Sequence, residues 1–131
     1  MANVGSYAEN LLLNLCLNAA TATRPTVWGI GLSIGPPSSV SGSEIGTASG
    51  YARQSAFFDQ ATQGSIINSQ GVTFGPFSTQ ATISGIQVWD TVTTAANGGN
   101  MLWYGTLATA QTVVVGASLV INSAGLTISL S

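Results

Sequence analysis

"ATISGIQVWD", residues 81–90, and "MLWYGTL", residues 101–107, flank a loop that opens at Asp90 and closes with "NGGN", Asn97 to Asn100. Ile86 and Val88 share one face of the first segment, the two-residue period of a β-strand. A strand, a glycine-rich loop and a returning strand predict a hairpin. Upstream, "TVWGIGLSI" (26–34) sets Trp28, Ile30, Leu32 and Ile34 on one face and small residues on the other, a half-buried strand. Turn formers then fill residues 35–50. "YARQSAFF" (51–58) predicts the next strand, with Tyr51, Arg53, Ser55, Phe57 and Asp59 on one face. "GSIINSQGVTFGPF" (64–77) predicts two short strands or one bulged strand, broken at Gly71 and Gly75-Pro76. "QTVVVGASLVI" (111–121) and "GLTISLS" (125–131) predict two more. Seven or eight short strands spaced by turns are the signature of an antiparallel β-sandwich or jelly-roll-like domain. With neither linker nor low-complexity tract, residues 1–131 are expected to form one domain.

One segment breaks the pattern. Residues 6–18, "SYAENLLLNLCLN", predict a single helix on which Leu11, Leu12, Leu15 and Cys16 make a broad apolar face. Ser6 and Glu9 have the spacing of a capping box, and Glu9 suits the positive end of the helix dipole. The helix is expected to pack on the strands. Cys16 is expected to be a buried small hydrophobe, since a single cysteine makes neither an internal disulfide nor a metal cluster. The opening resembles an export signal only superficially. Glu9 stands where positive charge belongs, and the apolar run falls short of the ~20 residues that span a membrane.

Composition narrows the function. Charged residues are 5% of the chain, against ~25% in an average domain, and there is neither lysine nor histidine. Apolar residues at 45% exclude a disordered chain. A surface with so little charge suits a chain buried against copies of itself or a larger assembly. Without histidine there is no Ser-His-Asp or Cys-His pair and no imidazole ligand. Without lysine there is no Schiff base and no complete phosphate loop. Two arginines against four acids argue against a nucleic-acid partner. The glycines of "GIGLSIGPP" lie within a strand and carry no dinucleotide fingerprint. No catalytic residue, cofactor or metal is expected.

Arg53 is one of only two basic residues, and it sits among aromatics. It is expected to form a structural ion pair with Glu44, Asp59 or Asp90 while its stem covers aromatic surface. Trp28, Trp103 and Tyr104, on short strands, are candidates for an oligomer interface, where aromatics are enriched. "MANVG" (1–5) is small enough for Ala2, Asn3 and Val4 to act as an arm docking on a neighbour.

In order along the chain, "SYAENLLLNLCL", "VWGIGLSIGPP", "SGYARQSAFF", "SGIQVWD", "GGNMLWYGTL" and "VVVGASLVINSAGLTISLS" resemble a family of small bacteriophage virion proteins. These are often labelled tail fibre proteins, and some serve as capsid decoration (cement) proteins. The resemblance covers essentially the whole chain, including Gly50-Tyr51-Ala52-Arg53, Asp90, Gly98-Gly99, Gly105 and Gly125. It departs at Ala117-Ser118, where the usual turn is acidic. The resemblance implies a β-sandwich structural subunit with no catalytic residues. Since the chain has no heptads or shaft repeat, the expectation is a homotrimeric decoration protein bound to the major capsid protein. A tail-fibre or tail-tip component, binding a host-surface glycan, is the alternative.

Overall fold

The hairpin is the spine of the molecule. In the computed structural model, which describes residues 2–18, 21–38, 43–46, 49–93 and 98–130, it comprises β6 (Ala81–Trp89) and β7 (Met101–Val113). They pair antiparallel from Ala81↔Val113 to Trp89↔Met101. Around them, in chain order, lie β1 (Ala2–Val4), the helix α1 (Ser6–Leu17), β2 (Gly29–Ser33), β3 (Gln54–Ser55), β4 (Ser65–Ile67) and β5 (Val72–Phe74). β8 (Leu119–Ile121) and β9 (Thr127–Ser129) follow the hairpin. One antiparallel sheet runs β1-β7-β6-β2-β3, and two ribbons, β4-β9 and β5-β8, complete the sandwich.

The core joins these parts. Ile30, Leu32, Ile83, Val88 and Leu102 of the main sheet form one buried cluster with Val72, Phe74, Ile121 and Ile128 of the ribbons. Tyr51 stacks on Phe74 with ring centroids 6.0 Å apart. All five residues of β2 are buried, so both of its faces are covered; it is not the half-exposed strand that alternation predicts. Ile34, expected on the same face as Leu32, lies beyond the strand end and is 59% exposed.

Several expectations are corrected. "MLWYGTL" and "QTV" belong to one thirteen-residue strand, β7, which pairs with β6 on both sides of a register shift: Thr106 faces Gly85 and Gln111 faces Ile83, with residues 107–110 outside the paired register. "YARQSAFF" pairs with β2 only at Gln54 and Ser55. Its alternation holds for Tyr51 and Arg53, then slips, burying Ala56 and leaving Phe57 53% exposed. The Ala56 amide donates to the Trp28 carbonyl at 2.8 Å, one register step beyond the Gly29↔Ser55 pair.

Ala2, Asn3 and Val4, expected as a free arm, pair instead with β7 as the edge strand β1 in this chain's own sheet. There they satisfy main-chain groups that the β7 edge would otherwise leave unpaired. The capping box does not form: Gly5 is the N-cap, and no side chain caps the helix. The reason is tertiary. The Gly5 amide donates to the Leu102 carbonyl at 2.7 Å, and any Cβ at Gly5 would collide with the Met101 carbonyl. The helix therefore starts against β7, one residue ahead of Ser6. Only Ala8 of α1 is buried, and Cys16 is exposed, contrary to expectation. No helix among the described residues is long and apolar enough to cross a membrane.

Asn68 is the internal tie between the ribbons. Its buried amide donates to the carbonyls of Gln70 (2.8 Å) and Asn122 (2.9 Å) and accepts from the Leu126 amide (2.8 Å). An amide has two donors and one strong acceptor, and here all are used. Asn68→Ala removes all three bonds and leaves the Leu126 N–H without that acceptor, while the Asn122 carbonyl keeps the Gly125 amide. It is expected to lower unfolding free energy by ~2–4 kcal/mol, read from urea denaturation at fixed protein concentration.

Candidate functional site

Arg53 is the centre of the most connected polar cluster. Its guanidinium grips Glu44 bidentately, Nε to Oε1 at 2.8 Å and Nη2 to Oε2 at 2.7 Å. Nη1 donates to the carbonyls of Thr93 (2.8 Å) and Gly98 (2.6 Å). The guanidinium carbon lies 3.8 Å from the centroid of the Trp89 ring, a cation–π contact. The Arg53 side chain is 2% exposed and that of Glu44 16%. The planar fork of arginine fits this geometry, and lysine would lose the bidentate grip and the stacking together.

Each partner is placed by its own local structure. Glu44 sits in a segment that folds back along the end of β2: Ser33 and Glu44 form an antiparallel bridge, and the Ile45 amide donates to the Leu32 carbonyl at 3.0 Å. Residues 43–46 are thus held along β2, whereas the run of turn formers predicts a loose loop. Tyr51 donates to Glu44 Oε1 at 2.6 Å and accepts from the Leu32 amide at 3.0 Å. Trp89 is oriented by its indole N–H, which donates to Gln87 Oε1 at 2.8 Å. Beneath them lies Gly31. A Cβ there would stand 3.0 Å from Glu44 Oε1 and 3.1 Å from both Trp89 Nε1 and the Tyr51 hydroxyl. The strand carries glycine because the cluster occupies the side-chain space.

The other two acids lie elsewhere. Asp90 closes the base of its own loop, accepting from the Asn100 amide at 2.6 Å and from its side chain at 2.9 Å. Asp59 is exposed. Among the described residues no three Cys, Asp or Glu side chains come together.

Chemically the cluster is a latch. Burial, then the hydrogen bond and charge of Glu44, push the Tyr51 hydroxyl well above the ordinary phenol range. Its oxygen is therefore a neutral donor and no nucleophile. What the arrangement does is join three separate stretches: the segment at Glu44, the strand entry at Tyr51–Arg53 and the hairpin loop at Thr93 and Gly98.

Trp28 and Trp103 are half-buried and packed against the core. They share a cleft of about 330 Å³ with Phe58, Arg24 and Asp59. Tyr104, half-buried on β7, lines a neighbouring crevice with Leu107 and Leu126. Three leucines of α1 are exposed, which nothing in their spacing distinguishes from those of a buried helix. Leu13 is 56%, Leu15 51% and Leu17 80% exposed.

Arg53→Met keeps much of the stem but leaves Glu44 without its countercharge. The expected loss is ~3–5 kcal/mol of unfolding free energy, far above the ~0–1 kcal/mol of a surface pair. Tyr51 makes a second test. Its folded-state pKa lies above its unfolded value near ~10, so the unfolded chain loses that proton first. The Tyr51 contribution is complete below about pH 10 and declines as pH rises beyond it, by up to ~1.4 kcal/mol per pH unit. Denaturation curves between about pH 8 and 11 are expected to show a flatter alkaline dependence for Tyr51→Phe than for the parent chain.

Among curated proteins, none matches this chain. A family model described as podophage GP4 fiber I protein gp80 matches residues 3–129, from β1 through β9. The matched stretch takes in the helix, the latch and both ribbons, so the agreement extends over the fold as a whole. This chain therefore belongs to the podophage GP4 fiber I protein gp80 family, and is a small phage virion protein.

Proposed function

We propose that the chain is a non-enzymatic subunit of a virion fibre that assembles as a homotrimer through α1. The single observation that carries assembly is the helix itself. Leucines at 11, 12, 13, 15 and 17 distribute apolar surface around most of its circumference, yet only Ala8 is buried. A helix that is apolar all round is ordinarily enclosed on all sides. In this chain β7 covers one side. A dimer supplies one further helix, whereas a three-fold arrangement gives each helix two neighbours, which suits its remaining sides. Burying the exposed parts of Leu13, Leu15 and Leu17 contributes roughly 1–2 kcal/mol each. The fibre assignment is supported by the family's description.

A second reading has one observation in its favour: no shaft element occurs among the described residues, and α1 is the only helix. A knob of this build suits decoration of the assembled head through the major capsid protein. Density maps of intact particles separate the two. Signal confined to the tail supports the fibre, and signal distributed over the head supports decoration.

The paired change Leu13→Glu and Leu17→Glu acts on exposed side chains, so the fold is expected to survive, as checked by circular dichroism. Light scattering is expected to show the monomer mass for this variant and three times that mass for the parent. Parent assembly is expected to hold from about 0.05 to about 0.5 M salt, because an apolar contact gives screening little to act on. It is also expected to be unchanged between about pH 5.5 and 8, where no histidine titrates.

A further inference from the structure

We propose that the cleft between Trp28 and Trp103 binds a small zwitterion, a quaternary ammonium joined by a short alkyl link to a phosphate or carboxylate. The charges at the cleft are the first reason. Arg24 and Asp59 both line it, and both side chains are exposed. They do not pair with each other: the ion pair among the described residues is Arg53–Glu44. Neither has another side-chain partner among the described residues. In a chain with six charged residues, two unneutralised ones of opposite sign stand at one cleft. A simple anion meets Arg24 favourably and Asp59 unfavourably, and a simple cation meets the reverse. A ligand that carries both signs satisfies both. Its anionic end accepts charge-assisted bonds from the Arg24 fork, a geometry suited to phosphate and carboxylate alike.

The walls choose the cation. Trp28, Trp103 and Phe58 bring three aromatic rings to a cleft of about 330 Å³, at the lower end of the ~300–1,000 Å³ of small-molecule sites. A quaternary ammonium spreads its charge over methyl groups that pack on aromatic faces, and rings of this kind enclose such cations through cation–π attraction. A primary ammonium instead has three N–H groups to satisfy, and Asp59 is the one carboxylate on this lining.

The frame is set before any ligand arrives. Phe58 bridges antiparallel to Asn68, and the Asp59 amide donates to the Ile67 carbonyl at 3.0 Å. The Trp28 carbonyl accepts from the Ala56 amide at 2.8 Å, and Trp103 is laddered to Val4 on one side and Val88 on the other. Walls held by main-chain bonds lose little freedom on binding.

The test titrates the intact purified chain with phosphocholine and with glycine betaine. Their unmethylated counterparts, phosphoethanolamine and glycine, are controls for the cation, and choline chloride and inorganic phosphate carry one sign only. Tryptophan fluorescence and saturation-transfer NMR report binding. The expected result is a saturable response to at least one methylated zwitterion, with a midpoint on the order of 1 mM. Its unmethylated counterpart, choline and phosphate are each expected to bind about 10-fold more weakly or less. Asp59→Asn is expected to weaken the zwitterion by ~10-fold or more. Arg24→Gln is expected to weaken it similarly while tightening choline, whose repulsion it removes. Both side chains are exposed, so the melting temperature of each variant stays at the parent value. Co-sedimentation with phosphatidylcholine vesicles, beside binding of free phosphocholine, supports the proposal with a lipid headgroup as the source. Binding of the free zwitterion alone supports it with a soluble source. No saturable response to either methylated zwitterion overturns the proposal. So does unchanged affinity in both variants, or equal affinity for a methylated zwitterion and its unmethylated counterpart.

Discussion

The contact on which the rest of the structure depends is the bidentate Glu44–Arg53 pair. Of the chain's six charged residues, Arg53 is buried and is paired with a partly buried Glu44. Bringing both from water costs several kcal/mol per ion, and the mutual attraction repays that only when the geometry is good and the remaining donors are used. Here both carboxylate oxygens and three guanidinium nitrogens are engaged, and an indole covers the cation. The return is positional. β3 has two residues and cannot hold its segment by ladder bonds alone, and the hairpin loop leaves β6 at Asp90 and must return ten residues later. Arg53 reaches both Thr93 and Gly98 across that loop, so one side chain fixes what the main chain leaves loose.

That dependence explains why β2 carries glycine at its centre. A strand this buried normally bears large β-branched residues on both faces. At Gly31 the space over the strand is taken by Glu44, Tyr51 and the Trp89 indole. The main-chain amide of Leu32 takes part too, donating to Tyr51. Polar groups in a core demand complete satisfaction, and satisfied networks specify one arrangement where apolar packing tolerates several. In a fold whose sheets are short, such specificity carries unusual weight.

Much of the architecture was legible because strands and hairpins announce themselves locally. Residues 81–107 alternate, turn on glycine and asparagine, and return, and the sheet is built around them. Arg53 stood out because charge is so scarce. Its partner was one of three acids left open, since Glu44 lies in a run of turn formers whose docking on β2 depends on main-chain bonds that no side-chain pattern records. Periodicity failed in two instructive places. At Ala56 the alternation begun at Tyr51 slips, so that Ala56 is buried and Phe57 exposed. On α1 the leucine spacing correctly marks an apolar helix, but spacing says nothing about whether the chain's own sheet or another copy covers it. β1 was invisible because three residues are too few to show a period; the strand exists only because β7 offers an edge. Asn68 gave no signal either, being one of many polar residues until the fold buries it.

The two edges of the main sheet bear on how such a molecule stays discrete. An exposed strand edge is a template for unwanted pairing, and proteins blunt it with charge, proline or shortness. This chain has little charge to use, and its edge strands, β1 and β3, are three and two residues long. Short edges limit strand-to-strand growth. Apolar surface, by contrast, is concentrated on a helix, where backbone groups are already paired and packing depends on side-chain shape. The assembly we propose through the leucine-rich helix is a defined, closed contact instead of an open-ended one. The same proposal accounts for the nearly uncharged surface: a subunit that meets copies of itself in a fixed geometry has less need of charge to keep them apart.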